Sequence, residues 1–580
     1  MTTIEDVIHA VEAGTSLEGA TLAVLDLGGR DLSGAHLSRA RIHDVSFRGA
    51  KLAGARLDGA NLTGSTFAET DLEGADLSGA LVLAGDLAGA RLARANLTGA
   101  KLVGANLRGA DLSGADLSNA VLIGADLTRA RLEGATLRGS RLDAATLTEA
   151  DLSRASITES SFSRADLSKA RLEGATVRGS SMASAKLVGA DLGGATLDKV
   201  VLQRADLSGA RLPKIMTAVV LDDATLGSPD LAGARASRAS LDGLDLAGVD
   251  LAGADLSFSS LRGAGLAGAD LTGAKLDRAV LEGADLTGSR LAGASLSGAF
   301  LAGAKLGGVD LSNLEIEGAS LKGADLRGAD LSAARFTRTI LDGADLRGAR
   351  LDRAFFKQCL LRKAKLGEAS LEKAVFERVD FASADFGRKD LAGLSMRQCL
   401  FMGQDLRGFG FEGCDLWGSN FAKADLRQAR FAECIATSAS FHEANLEGAT
   451  LSGVSAKGAL FAGATLRLTN LSKAKLRGAV FLGADLERGL FAGADLRGAH
   501  LVRARAPGAS FYGATLARAD LSHADLTGAD FTEADLEGAD LHAVREQGTR
   551  FAGAKLGGVK RTDTARLESE AWRAPERQAR

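Results

Sequence analysis

Large apolar side chains recur at every fifth residue along most of the 580-residue chain. In the stretch ANLTGAKLVGANLRGADLSGADL, Ala95 to Leu117, leucine takes each fifth place and alanine stands two residues before it. With the large apolar residue as the centre of a unit, centres run without a slip from Leu17 to Leu212, (212 − 17)/5 + 1 = 40 units. They run again from Leu221 to Leu556, (556 − 221)/5 + 1 = 68 units. A period of five matches neither a helix at about 3.6 residues per turn nor a strand at about 2. It suits a short extended segment followed by a tight corner, with the centre and the small residue two before it facing inward. Glycine, the commonest last residue of the unit, allows the positive φ that such a corner needs.

Two columns show how many units close one coil. Beyond residue 391 the phenylalanine centres fall at 401, 411, 421, 431, 441, 461, 481, 491, 511, 531 and 551, always on alternate units. Three units per coil would scatter them and is excluded. The residue before the centre, read every twenty positions, is Asp31, Lys51, Asp71, Arg91, Asp111, Arg131, Asp151, Arg171, Asp191 and Arg211. Its sign alternates without an error, and the order dissolves at a spacing of ten. Opposite charges twenty residues apart become cross-strand neighbours if adjacent coils lie about 4.8 Å apart. Each coil is then four pentapeptides, and the repeat makes about 27 coils, (40 + 68)/4.

Composition agrees with a solenoid, which grows by adding like units to one continuous core. Glycine is 72 of 580 residues and aromatics are 4%, too few bulky side chains for an ordinary globular interior of this size. No apolar run approaches the roughly 18 residues of a membrane span. The start, MTTIEDVIHAVEAG, lacks the basic opening and apolar core of a signal segment, so a cytoplasmic location is expected.

The A(D/N)LxG unit, as in GADLSGADL and GANLRGADL, resembles the pentapeptide repeat family over about residues 15–557. The resemblance implies an all-β, right-handed quadrilateral β-helix solenoid with short helical caps. For function it implies a non-enzymatic protein. Some members are similar to B-DNA and bind DNA gyrase, and others look like accessories of secretion systems. A DNA mimic needs negative potential along its length. Here Lys+Arg is 70 against Asp+Glu 73, net −3, and the most regular column alternates in sign. Members of the gyrase-binding type are also much shorter. The primary expectation is therefore a rigid, rod-like bacterial scaffold for protein–protein interaction, for which the resemblance alone implies a secretion-system accessory; a gyrase-binding DNA mimic is the alternative.

Five segments follow. Residues 1–14 form an N-terminal capping helix, in which Thr3 and Asp6 resemble a capping box, Ile4, Val7, Ile8 and Val11 share a face, and Gly14 is the stop. Residues 15–212 are the first repeat block and 221–557 the second. Between them, 213–220 is a register break, where Leu212 to Leu221 spans nine residues near Pro213, Pro229 and the undersized centre Ala236. It reads as a local bulge or as a hinge. Residues 558–580 are a C-terminal cap and tail, with a short helix over 563–574 presenting Leu567 and Trp572, then a disordered PERQAR. That helix either covers the last strand edge or, as the resemblance implies, makes a homodimer contact.

Candidate chemistry is sparse. Cys359, Cys399, Cys414 and Cys434 each stand two before a centre, where alanine is usual, and read as inward structural thiols. In-register stacking of Cys414 on Cys434 is poor disulfide geometry. His36, His43, His442, His500 and His542 take outward positions, and His9 lies on the first helix. His523 and His542 approach each other on adjacent coils, but a metal needs three or four ligands and no third is evident. No nucleophile elbow, P-loop or dinucleotide fingerprint occurs. No catalytic residue, cofactor, nucleic-acid partner or membrane insertion is expected.

Departures from the repeat gather over 355–440, at Phe355, Lys357, Arg362, Arg388, Lys389, Arg397, Met402, Phe409 and Trp417. Phe409 fills an alanine slot and should distort its coil. Read every twenty positions, Lys357, Glu377, Arg397 and Trp417 should stack in one line, with Phe355 beside it and both aromatics facing solvent. Phe355, Lys357, Arg397 and Trp417 are the candidate partner contact.

Overall fold

The computed structural model describes residues 3–387 and 390–571. Arg388, Lys389, Trp572 and the PERQAR tail therefore lie outside the described residues. The chain divides into two compact units, Met1–Lys305 and Leu306–Arg580.

One pentapeptide shows why the sequence winds as it does. Asp111 pairs in parallel with Arg91 on one side and Arg131 on the other. The Leu112 side chain is fully buried, and its N–H donates to the Arg131 carbonyl at 2.6 Å. Ser113 and Gly114 then turn the corner, and the Ala115 N–H donates back to the Leu112 carbonyl at 3.0 Å. Gly114 has φ of +66°, so only the third residue of the turn is left-handed, as in a type II turn. Arg94 takes the same place with φ of +58°. At Gly104 and Gly109, a Cβ would meet nothing within 4 Å, so a side chain at such corners is penalised by its backbone conformation alone. A second device was not read from the sequence. The Asp111 carboxylate accepts the Ser113 N–H at 3.0 Å, an Asx turn that bridges the same corner.

The first unit opens with α1 (Ile4–Glu12), whose Thr3 cap accepts the Asp6 N–H. Val7 and Ala10 are its buried residues, and Gly14 follows with φ of +64°. Most units make single bridges rather than strands. Three-residue strands form at a few units: β1 (Thr21–Ala23) pairs with β2 (Arg41–His43), and β3 (Ser156–Thr158), β4 (Thr176–Arg178), β5 (Thr196–Asp198) and β6 (Ile215–Thr217) make a parallel sheet in that order.

The register break is a coil one residue short. Met216 is the centre that the five-residue count skipped, four residues after Leu212 and five before Leu221, and it is buried. Thr196 pairs with Ile215 and Val201 with Val220, each 19 apart (215 − 196; 220 − 201). Ile215 then pairs with Arg235, restoring twenty. Hydrogen bonds thus join the coils before and after the slip. At the corner, Lys214 Nζ reaches the Asp230 carboxylate at 2.9 Å.

In the second unit β7 (Glu315–Glu317), β8 (Arg335–Thr337), β9 (Phe355–Lys357), β10 (Val375–Glu377) and β11 (Ser395–Arg397) form one parallel sheet in chain order. Inside, the phenylalanines stack in columns. Phe401 lies 4.8 Å from Phe421 between ring centroids and Phe411 4.7 Å from Phe431, both pairs stacked with nearly parallel rings. Rings of the two columns meet edge to face, Phe411 against Phe421 at 80°. After the last coil comes α2 (Thr564–Ala571); residues 572–574 of the helix expected over 563–574 lie outside the described residues.

Within each unit bridged residues stay twenty apart, except across the shortened coil at 213–220. Phe409 is unlike its expectation. Its N–H keeps the turn bond to Leu406 at 3.2 Å and its carbonyl accepts the Arg430 N–H at 2.8 Å. The ring is accommodated edge-on against Phe386, 6.3 Å between centroids.

Candidate functional site

The outer face of the β7–β11 sheet carries the irregular residues as one strip. Register places Lys357 beside Glu377 and Glu377 beside Arg397. The Gln398 N–H donates to the Trp417 carbonyl at 2.8 Å, which puts Trp417 next in line. Lys357 Nζ lies 3.9 Å from the Glu377 carboxylate. Arg397 stands over the Trp417 indole, 5.4 Å from its centroid, and its Nε lies 3.3 Å from the Asp415 carboxylate. Asp415 in turn accepts the Trp417 backbone N–H at 3.2 Å, so one carboxylate pairs with the cation and bridges the turn that carries Trp417. Trp417 is 38% exposed.

Phe355 departs from its expectation. It is half-buried, because Arg335 of the preceding strand lies over its ring at 4.9 Å. Parallel in-register pairing of Arg335 with Phe355 forces that contact, and it was legible only with the column read one coil further back. Arg362 is held apart from the strip, its Nε 3.0 Å from Asp342. Met402 is exposed at 52%. The strip as a whole offers two guanidinium-covered aromatic rings and a lysine on a rigid sheet. Such a surface can stack and hydrogen-bond, and it presents no activated nucleophile.

The four thiols face inward. All are buried and free, and burial pushes Cys399, Cys414 and Cys434 up to about 12 and Cys359 to about 11. The Cys414 thiol donates to the Leu391 carbonyl at 2.9 Å. These thiols are packing atoms.

The histidine pair changes most on folding. His542, expected outward, is 1% exposed, and His523 is half-buried. Glu570 of α2 supplies a third group. Its Oε2 lies 2.8 Å from His523 Nε2 and 3.3 Å from His542 Nε2. Arg566 takes the other oxygen of Glu570 at 2.8 Å and Asp540 at 3.0 Å. The Glu570 pKa is lowered, first by Arg566, with partial burial opposing it. Among the described residues these three donor groups form a cluster able to hold a metal ion, all ligand atoms lying within 4.8 Å of one another. The sequence hid it because Glu570 is 28 residues from His542 and outside the repeat.

Among the described residues no helix is long and apolar enough to cross a membrane. No curated protein matches the chain. Solved structures do. A pentapeptide repeat protein involved in heterocyst differentiation regulation, HetL from Nostoc sp. strain PCC 7120, is 32% identical, with 44% of this chain and 88% of that one covered and a TM-score of 0.13. A pentapeptide repeat protein of the Arabidopsis thaliana thylakoid lumen is 36% identical over 18% of this chain and 68% of its own, with a TM-score of 0.15. QnrB1, a plasmid-mediated fluoroquinolone resistance protein, is 21% identical over 38% of this chain and 91% of its own, with a TM-score of 0.19. The pattern described as pentapeptide repeats matches successive segments from residue 13 to 398 and from 479 to 545, and a pentapeptide repeat region matches 404–481. With most of its length matched, the chain belongs to the pentapeptide repeat family.

Proposed function

We propose that this protein is a non-enzymatic scaffold that binds a protein partner in the cytoplasm through the strip of Phe355, Lys357, Arg397 and Trp417. The observation that carries the reading is the Arg397–Trp417 stack, an exposed aromatic under a guanidinium that Asp415 holds in place. Tryptophan and arginine are the side chains most often found at the energetic centres of protein interfaces, and a preset geometry spares the ordering cost of binding. Lys357 and Arg397 alternate with Glu377 and Asp415 along the strip, which suits a partner surface that carries both signs of charge.

The test is the double variant Phe355→Ser with Trp417→Ser, used as bait in the native host beside the unaltered protein. A partner retained by the unaltered protein and lost by the folded variant supports the strip. Equal retention by both removes it. Exposed Leu556 (37%) and Leu567 (41%) favour, in addition, a homodimer through the C-terminal segment, which light scattering in solution tests directly. The gyrase-binding alternative predicts inhibition of DNA supercoiling by the pure protein at micromolar concentration. The balanced charge of 70 basic against 73 acidic residues argues that none occurs.

A further inference from the structure

We propose that Nε2 of His523, Nε2 of His542 and Oε2 of Glu570 bind one divalent transition-metal ion of the zinc class, and that the ion staples α2 to the solenoid. The two imidazoles are placed by the coils and not by the helix. The His523 N–H donates to the His542 carbonyl at 2.8 Å, so the rings come from successive coils at fixed spacing, and they meet edge to face with centroids 5.4 Å apart. The third ligand comes from α2. Arg566, one turn before Glu570, holds Oε1 and is itself held by Asp540, which leaves Oε2 turned toward both rings.

Zinc bonds to nitrogen and oxygen of about 2.0–2.2 Å in a tetrahedron set the ligand atoms roughly 3.4 Å apart. The His542–Glu570 separation of 3.3 Å already fits, and that of His523, at 2.8 Å, needs to open by a few tenths. Two imidazoles and a carboxylate select zinc, cobalt or nickel over magnesium or calcium, which favour all-oxygen sites. His523 and Glu570 also line a cleft shared with Asp520 and Ser522.

The His542 ring couples the site to the start of the helix. Its Nδ1 accepts the Asp563 N–H at 3.1 Å, so without metal the ring proton is on Nε2 and points at Glu570. A metal on Nε2 displaces that proton, the neutral ring then carries its hydrogen on Nδ1, and the Asp563 contact must open. Loss of that one hydrogen bond lowers the affinity without preventing binding. It also makes the first turn of α2 a reporter of occupancy.

The experiment uses the full chain stripped with chelator and titrated with zinc chloride by calorimetry, then with cobalt chloride followed by visible absorption. The expected result is saturation at one equivalent, a tetrahedral cobalt spectrum, and no heat with magnesium chloride. Glu570→Gln and His523→Gln should each weaken zinc binding at least about tenfold. Circular dichroism melting of each variant confirms an intact solenoid, and hydrogen exchange should show the rest of α2 slowed by zinc while the Asp563 amide is not. Absence of saturable zinc uptake overturns the proposal. Undiminished uptake by Glu570→Gln overturns it equally, because the ion would then be held elsewhere.

Discussion

The column of alternating charge in the first unit and the strip in the second obey the same register, and they put it to different uses. From Asp31 to Arg211 every neighbour twenty residues away has the opposite sign, and each pair is a parallel bridge. The cations lean toward the acid of the preceding coil, Lys51 to Asp31 at 3.5 Å, Arg91 to Asp71 at 3.4 Å and Arg131 to Asp111 at 3.7 Å. The column is thus a row of ion pairs. Exposed pairs of this kind are worth about 0–1 kcal/mol each, and their value is in register, since a slipped coil would set like charges together. In the strip, cations cover rings, Arg335 over Phe355 and Arg397 over Trp417. Identical backbone spacing thus sets opposite charges side by side in one place and cations over rings in the other. The difference lies entirely in the side chains that the solenoid leaves free to vary.

The largest separation between the two regions should come from below the surface. Phe421 contacts Phe401, Phe411, Phe431 and Phe441 in the stacked columns. Phe421→Ala should cost about 3–5 kcal/mol, and Leu112→Ala under the charge column about 2–5 kcal/mol. Chemical denaturation of the two variants measures both. A cost for Phe421→Ala near that of a surface change would mean that the columns do not act as one core.

Cysteine chemistry marks the same division, because all four thiols lie in the second unit. With pKa values pushed to about 12 by burial at Cys399, Cys414 and Cys434, a thiol reagent at pH 8 should label the native protein extremely slowly and the denatured protein at once. Rapid labelling of native protein would show that the second unit opens locally.

Surface changes rank below these. Arg131→Asp lines up three acids with Asp111 and Asp151 and should lower stability by about 1 kcal/mol at low salt, an effect removed by raising the salt. A melting temperature indifferent to salt would contradict the alignment role. Trp417→Ser, by comparison, loses a cation–π contact of about 0.5–1 kcal/mol and should be insensitive to register.

The smallest expected effect is on pH dependence. Burial of Asp111 raises its pKa, but the Ser113 hydroxyl and N–H and the flanking Arg131 and Arg91 outweigh it, and the pKa is lowered. A lowered folded pKa stabilises above the ordinary carboxylate value of about 3.9, and the gain is lost as pH falls through the folded value. Asp111→Asn should therefore flatten the acid limb of the melting curve slightly. An unchanged limb would place the acid sensitivity in other carboxylates.

Much of this molecule was legible because a five-residue period leaves little freedom. The inward places of Leu112 and Cys414, the twenty-residue neighbours and the line from Lys357 to Trp417 all follow from counting. Counting failed wherever a residue belonged to no unit or to a shortened one. Met216 was skipped because the chain there advances by four. Phe355 was placed in solvent because its cover, Arg335, belongs to the preceding coil.

The sequence by itself determined the repeat, the four-sided coil and the inward and outward assignment of nearly every side chain. Each of these depends on contacts within a coil or between adjacent coils, and such contacts recur at a fixed interval in the chain. Tertiary structure alone decided where α2 docks, and with it the burial of His542 and the meeting of Glu570 with two histidines. That contact lies outside the period. It depends on how an irregular segment folds back against coils already formed, so its partners are set by shape and charge in space and not by spacing along the chain.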